Sequence, residues 1–119
     1  MDDNSFGTYR KLAVWQKSLQ LVGLVYVQIR KFPTEEKYAL ADQLRRAVTS
    51  ISSNIAEGNG RASNRDYAHF LSISRGSLYE TVNLLDIAEA LGYVDHSAEI
   101  ENLAIELRKM LSAMIKKFS

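Results

Sequence analysis

Leu12-Ala13-Val14-Trp15-Gln16-Lys17-Ser18-Leu19-Gln20-Leu21-Val22-Gly23-Leu24-Val25-Tyr26-Val27-Gln28-Ile29 decides the fold. Leu12, Trp15, Leu19, Val22, Tyr26 and Ile29 advance by 3, 4, 3, 4 and 3 residues, the repeat of one face of an α-helix and not of a strand. The stretch is free of charge from Ser18 to Ile29, yet that run is too short to span a bilayer and is interrupted by Gln20 and Gln28. A soluble helix is therefore predicted over residues 8–31. Pro33 ends it by disfavouring helical backbone at Phe32, and Thr34, followed by Glu35 and Glu36, offers the cap and first turn of a second helix.

The same reading extends along the chain. Ala41, Leu44, Val48, Ile51 and Ile55 form the stripe of a helix over 35–58, which is expected to close on a left-handed cap at Gly58-Asn59-Gly60. Ser63 and Asp66 resemble a capping box and open a third helix over 64–91. That helix carries two stripes, Phe70-Ile73-Ser77-Leu84-Ile87-Leu91 and Tyr67-Leu71-Ser74-Leu78-Leu85, and Gly92 follows its end. Asp95 or Ser97 caps a fourth helix over 96–117, whose closing Lys116-Lys117 suits the negative end of a helix dipole.

The expected fold is all-α, a single domain over residues 1–119 with 1–7 disordered. Short connections make successive helices antiparallel, an up-down-up-down four-helix bundle. With 119 residues the chain can bury a core of its own, and with no cysteine it has neither a thiolate metal site nor a disulfide. The acidic start, Met1-Asp2-Asp3, is unlike a secretory leader, so a cytoplasmic protein without membrane contact is expected. Helix 1 has more apolar surface than one stripe needs: Val14, Leu21, Leu24, Val25 and Val27 lie off its main face. We take Val14, Leu21, Leu24 and Val25, helped by the second stripe of helix 3, as the interface of a homo-oligomer, because contiguous apolar patches are rare on monomers.

The formal charge is only +1, but it is unevenly spread, with +3 over residues 1–33, −2 over 63–94 and none elsewhere. Arg45, Arg46, Arg61, Arg65 and Arg75 are the basic residues nearest in sequence to an unusual polar stretch, Ser50-Ile51-Ser52-Ser53-Asn54-Ile55-Ala56-Glu57-Gly58. Arginine holds phosphate oxygens with a planar fork, so these five are the candidate contacts to RNA or DNA. The plainer reading is a solvated face with pairs such as Asp42 with Arg46 and Glu57 with Arg61. The polar stretch itself reads either as a docking surface for a protein partner or, preferably, as a close helix contact with Asn54 setting register. Gly23 and Gly76, inside helices at a cost of about 1 kcal/mol each, are read as marks of close helix approach. No phosphate loop, nucleophile elbow or His-Glu-x-x-His motif is present. Asp66 and His69 share a face but suit a surface contact better than a ligand pair. No enzyme, metal or cofactor is expected.

The run from Asp42 to Gly58, with its Ser53-Asn54-Ile55-Ala56-Glu57-Gly58 core, resembles the signature of four-helix-bundle proteins encoded within intervening sequences of bacterial 23S ribosomal RNA genes. Gly60-Arg61, Arg75-Gly76-Ser77-Leu78-Tyr79-Glu80, Leu91-Gly92-Tyr93 and the Tyr9-to-Trp15 opening follow the same pattern, so the likeness covers nearly the whole chain. It marks Asn54, Glu57, Gly58, Gly76 and Glu80 as structural motif residues. It implies an antiparallel bundle assembled as a homopentamer, without established enzymatic activity. It also implies similarity in fold to the accessory protein of diversity-generating retroelements, which works with a reverse transcriptase and binds nucleic acid. Ser52 stands where the family usually has Pro, implying a straighter helix 2, and Asn59 where an aromatic is common, implying a lost packing contact.

Overall fold

The computed structural model describes residues 5–119 and contains four α-helices: α1 (Ala13–Ile29), α2 (Leu40–Asn59), α3 (Asn64–Ala90) and α4 (Ala98–Phe118). Residues 1–4 of the segment expected to be disordered lie outside the described residues, while Ser5 to Gly7 form a turn with Gly7 at φ 89°. Helices pack in sequence order, and α4 closes against α1. Partner numbers fall on one helix as they rise on the next: Ser50 meets Ser77 while Ile51 meets Ser74, and Tyr67 meets Phe118 while Arg75 meets Ser112. Successive helices are therefore antiparallel, a four-helix bundle.

Local signals placed the caps of α3 and α4. The Ser63 hydroxyl accepts from the Asp66 amide at 3.1 Å and the Ser97 hydroxyl from the Ile100 amide at 3.2 Å. Gly92, at φ 79°, donates to the Glu89 carbonyl while Tyr93 donates to that of Ala88, a Schellman closure of α3. Two helix starts differ from expectation. α1 begins at Ala13 and not at Thr8, because Tyr9–Lys11 form a 3-10 turn pinned to the end of α2 by the Thr8 amide on Asn59 Oδ1 at 3.2 Å. α2 begins at Leu40, after a second 3-10 turn at Thr34–Glu36. Glu36, not Thr34, supplies the cap: its carboxylate accepts from the Leu40 amide and, at 2.7 Å, from the Tyr93 hydroxyl of the α3–α4 turn. The left-handed cap expected at Gly58-Asn59-Gly60 is absent, since Gly60 sits at φ −83°.

The inward face of α1 is Val14, Ser18, Leu21, Val25 and Ile29. Val14, Leu21 and Val25 are thus core residues of one chain, which corrects their assignment to a subunit interface. Of that set only Leu24 is half-buried, in a groove against α4. Truncating Leu21 would open a cavity costing about 2–5 kcal/mol, so it would report on folding and not on assembly. On α3 the second stripe supplies most of the core-facing positions, with Leu84 from the first. Tyr67, Leu71, Ser74 and Leu78 face the core, whereas Ile73, Ile87 and Leu91 are exposed.

The polar stretch of α2 meets α3 through Ser50 and the Ile51 carbonyl, while Ser53 is exposed. Ser50 Oγ lies 2.9 Å from Ser77 Oγ, Asn54 Nδ2 donates to the Ser50 carbonyl and hydroxyl, and the buried Ser74 hydroxyl donates to the Ile51 carbonyl at 2.8 Å. Ser52 and Ser53 bond back to the Thr49 carbonyl. Small side chains here let α2 and α3 approach while every buried hydroxyl keeps a partner, as burial requires. Gly58 is the glycine of closest approach: a Cβ there would stand 2.8 Å from Phe70 Cβ and 3.0 Å from Tyr67 Cδ1. Gly23 and Gly76, expected to play that part, are exposed, with no such neighbour within 4 Å.

Candidate nucleic-acid interface

The five arginines singled out from sequence do not form one patch. Arg45 and Arg46 lie in the first turns of α2, where Arg45 reaches the Lys37 carbonyl and Arg46, 80% exposed, pairs with Asp42 at 3.1 Å. Arg61 and Arg65 lie past the opposite end of that helix, some 15 residues on and so about 22 Å away at the helical rise. Arg75 sits between them in level and turns toward α4, donating to Ser112 Oγ at 3.1 Å.

The fold gathers a different set. The end of α2, the start of α3, the end of α4 and the N-terminal turn meet at one pole, joined by Thr8 to Asn59, Asn59 to Tyr67 and Tyr67 to Phe118. This pole carries Arg10, Lys11, Arg61, Arg65, Lys116 and Lys117 against Glu57 and Asp66. The opposite pole, held by Tyr93 to Glu36 and Phe32 to Tyr93, carries Glu35, Glu36, Asp42, Asp86, Glu89, Asp95, Glu99 and Glu101. Its cations are Arg30, Lys31, Lys37, Arg45 and Arg46. A formal charge of +1 therefore conceals two poles of opposite sign among the described residues. Sequence segments could not reveal this, because the cations come from three stretches far apart in the chain, Arg10-Lys11, Arg61 with Arg65, and Lys116-Lys117, which the packed helices bring together.

Aromatic rings accompany the cations. The Arg10 guanidinium lies 5.9 Å from the Phe6 ring centroid and 5.2 Å from that of Tyr9, whose ring meets Trp15 edge-on. The Arg61 guanidinium lies 4.7 Å over Phe70 and Lys117 Nζ 5.3 Å over Phe118, which stacks on Tyr67. Glu57 pairs with Arg61 at 3.1 Å, one of the partners foreseen for it. Both are about half exposed, so this i,i+4 pair contributes at most about 0.5 kcal/mol. Arg65 is exposed and has no ion-pair partner among the described residues.

The remaining motif residues sit elsewhere. Gly76 and Glu80 share an exposed face of α3 with Ile73, Asn83 and Ile87, at spacings of 3, 4, 3 and 4. A cleft of about 180 Å³ opens between α3 and α4, apolar inside through Leu78, Val82, Leu85, Ile100 and Ala104. Its mouth carries Asp86, Glu89, Asp95, His96, Glu101 and Arg108. His96 Nε2 lies 2.9 Å from Glu101. His69, apart from these, meets only the Phe70 edge among the aromatic contacts. No group of three or more His, Cys, Asp or Glu among the described residues is placed to hold a metal ion, and no described helix is long and apolar enough to cross a membrane.

Residues 10–113 match the sequence model of the family described as 23S rRNA-intervening sequence protein. No curated protein matches the chain.

Proposed function

Because the chain belongs to the 23S rRNA-intervening sequence protein family, which has no known catalytic activity, we propose that it is a non-enzymatic, cytoplasmic, oligomeric scaffold that binds RNA or DNA. The basic pole is the contact surface. The observation that carries this reading is the convergence of Arg10, Arg61, Arg65, Lys116 and Lys117 from three separate stretches of chain onto one end of the bundle. Phosphate neutralisation supplies most non-specific affinity, and it needs clustered cations, not a large total charge. Arg45 and Arg46, beside Asp42 and the acidic pole, no longer belong to the set, and Arg75 is occupied with Ser112.

Assembly rests on the exposed α3 face. Ile73 and Ile87 flank Gly76 and Glu80, motif residues with no packing role inside the protomer, and Leu19 and Val27 are exposed on α1. We take these as the subunit contacts, with five subunits as the resemblance implies. Cyclic symmetry would then repeat the basic pole in each copy and raise affinity for a long nucleic acid through multivalency.

The test is charge reversal at each pole. Arg61→Glu with Arg65→Glu should abolish retention of RNA at low salt, whereas Arg45→Glu with Arg46→Glu should leave it unchanged. Binding by the parent chain should weaken steeply with salt, each phosphate contact contributing a slope of about −0.7 to −0.9 in log K against log salt. The reverse pattern would sink the assignment. A chain that binds no nucleic acid at low salt would instead be an adaptor for a protein partner, such as a reverse transcriptase. The observation favouring that second reading is the apolar α3–α4 cleft with its acidic mouth.

A further inference from the structure

We infer that the basic pole is built for unpaired and not for base-paired nucleic acid, with Phe6 and Arg10 as its stacking platform; this rests on the nucleic-acid reading above. A duplex offers phosphates and groove edges, but its base faces are covered by their neighbours. An exposed aromatic ring beside a cation finds its match only where a base is unstacked and its phosphate lies close by, the combination by which single-stranded nucleic acid is held. Phe118 is half-buried and packs at the edge of the core, and Phe70 is half-buried with its Cβ against Gly58. Phe6 is different. It leaves 68% of its surface in water and is not part of the core, yet the Arg10 guanidinium stands 5.9 Å from its centroid and 5.2 Å from that of Tyr9.

The placement of this ring is not left to a loose arm. Gly7, at φ 89°, turns the chain back so that the Thr8 amide bonds Asn59 Oδ1 at 3.2 Å, and Gln16 Nε2 holds the Arg10 carbonyl at 3.0 Å. These bonds fix residues 8–10 beside the α2–α3 turn that carries Arg61, and Phe6 meets this segment through the Arg10 guanidinium. A base on Phe6 would then send its backbone toward Arg61 and Arg65, where the phosphate charge is neutralised. Asn59, at the end of α2, ties Thr8 to the turn that carries the cations.

The experiment compares a labelled oligouridine with an RNA hairpin of equal phosphate number whose loop is replaced by a non-nucleotide linker, so that every base is paired, by fluorescence anisotropy on the full chain across a salt series. The parent chain should bind the single strand at least about fivefold more tightly. Phe6→Ala should weaken the single strand by roughly five- to a hundredfold, the range for losing one stacked base, with the salt slope and hairpin affinity unchanged. Arg61→Gln with Arg65→Gln should weaken both ligands and flatten both slopes. Phe6 is exposed, so its variant should keep the parent circular dichroism spectrum and melting temperature. Equal or tighter binding of the hairpin, or a Phe6→Ala variant indistinguishable from the parent on oligouridine, overturns this inference while leaving the scaffold reading intact. Failure of the parent chain to bind either ligand overturns both.

Discussion

Replacing Gly58 by alanine should destabilise the bundle, although alanine is the better helix former. The new methyl would lie 2.8 Å from Phe70 Cβ, 3.0 Å from Tyr67 Cδ1 and 3.3 Å from the Tyr67 carbonyl oxygen. Phe70 Cβ and the carbonyl are fixed to the α3 backbone, so no rotamer change relieves them. The end of α2 must move away from α3 by the better part of an ångström. Overpacking of this kind costs about 1–3 kcal/mol, against a propensity gain of at most about 1 kcal/mol that is weakened near a helix end. The net is a loss of about 1–2 kcal/mol. For a domain of this size that corresponds to roughly 3–10 °C in melting temperature. Gly76→Ala is the internal control, because it adds the same methyl where nothing stands within 4 Å. It should raise stability by up to about 1 kcal/mol, unless the exposed α3 face is covered by a neighbouring subunit. Urea and thermal unfolding followed by far-UV circular dichroism, at one protomer concentration, separate the two. Gly58→Ala as stable as the parent would refute the close approach of α2 and α3 as drawn.

The other predictions concern single contacts. Glu57→Gln should change stability by less than about 0.5 kcal/mol and tighten RNA binding by releasing Arg61; a loss above about 1 kcal/mol would mean that the exposed pair does more than its geometry allows. Tyr93 is held protonated above its ordinary 10.0, first by its hydrogen bond to Glu36, then by partial desolvation and the charges of Glu36 and Glu35. Its contribution is therefore present below about pH 10 and lost as pH rises through the raised value. The stability difference between parent and Tyr93→Phe should shrink above pH 10, and a constant difference would contradict the linkage. Ser63→Ala and Ser97→Ala should each cost about 1 kcal/mol in urea unfolding, since each removes the side-chain acceptor of a helix N-terminus.

Four helices, the Ser63 cap and the Gly92 closure were legible in the sequence because each is decided within a turn or so of backbone, whereas the sequence left Asp95 and Ser97 as alternatives and the structure selects Ser97. Capping hydroxyls act on amides three residues away, and helical spacing needs only one face to repeat. Which face turned inward was not legible for α1 or α3. Both are apolar around more than half their circumference, so period alone yields two stripes. The neighbours chose Val14, Leu21 and Val25 on one and Tyr67, Leu71 and Leu78 on the other. The same limit governs the glycines. A helical glycine reads alike in sequence wherever it stands, and only Phe70 and Tyr67 across the α2–α3 seam distinguish Gly58 from Gly23 and Gly76.

The candidate interface divides in the same way. By itself the sequence determined that arginines and an all-α bundle were present, and it placed Arg61 and Arg65 together beside the α2–α3 turn. Only the tertiary structure decided that Arg10, Lys116 and Lys117 join them while Arg45 and Arg46 do not. Antiparallel packing brings residues a hundred apart in the chain to one pole, while the length of α2 separates Arg46 from Arg61, fifteen residues on, to opposite poles. Charge in a sequence is a list, and its field depends on distances that only the packed helices set.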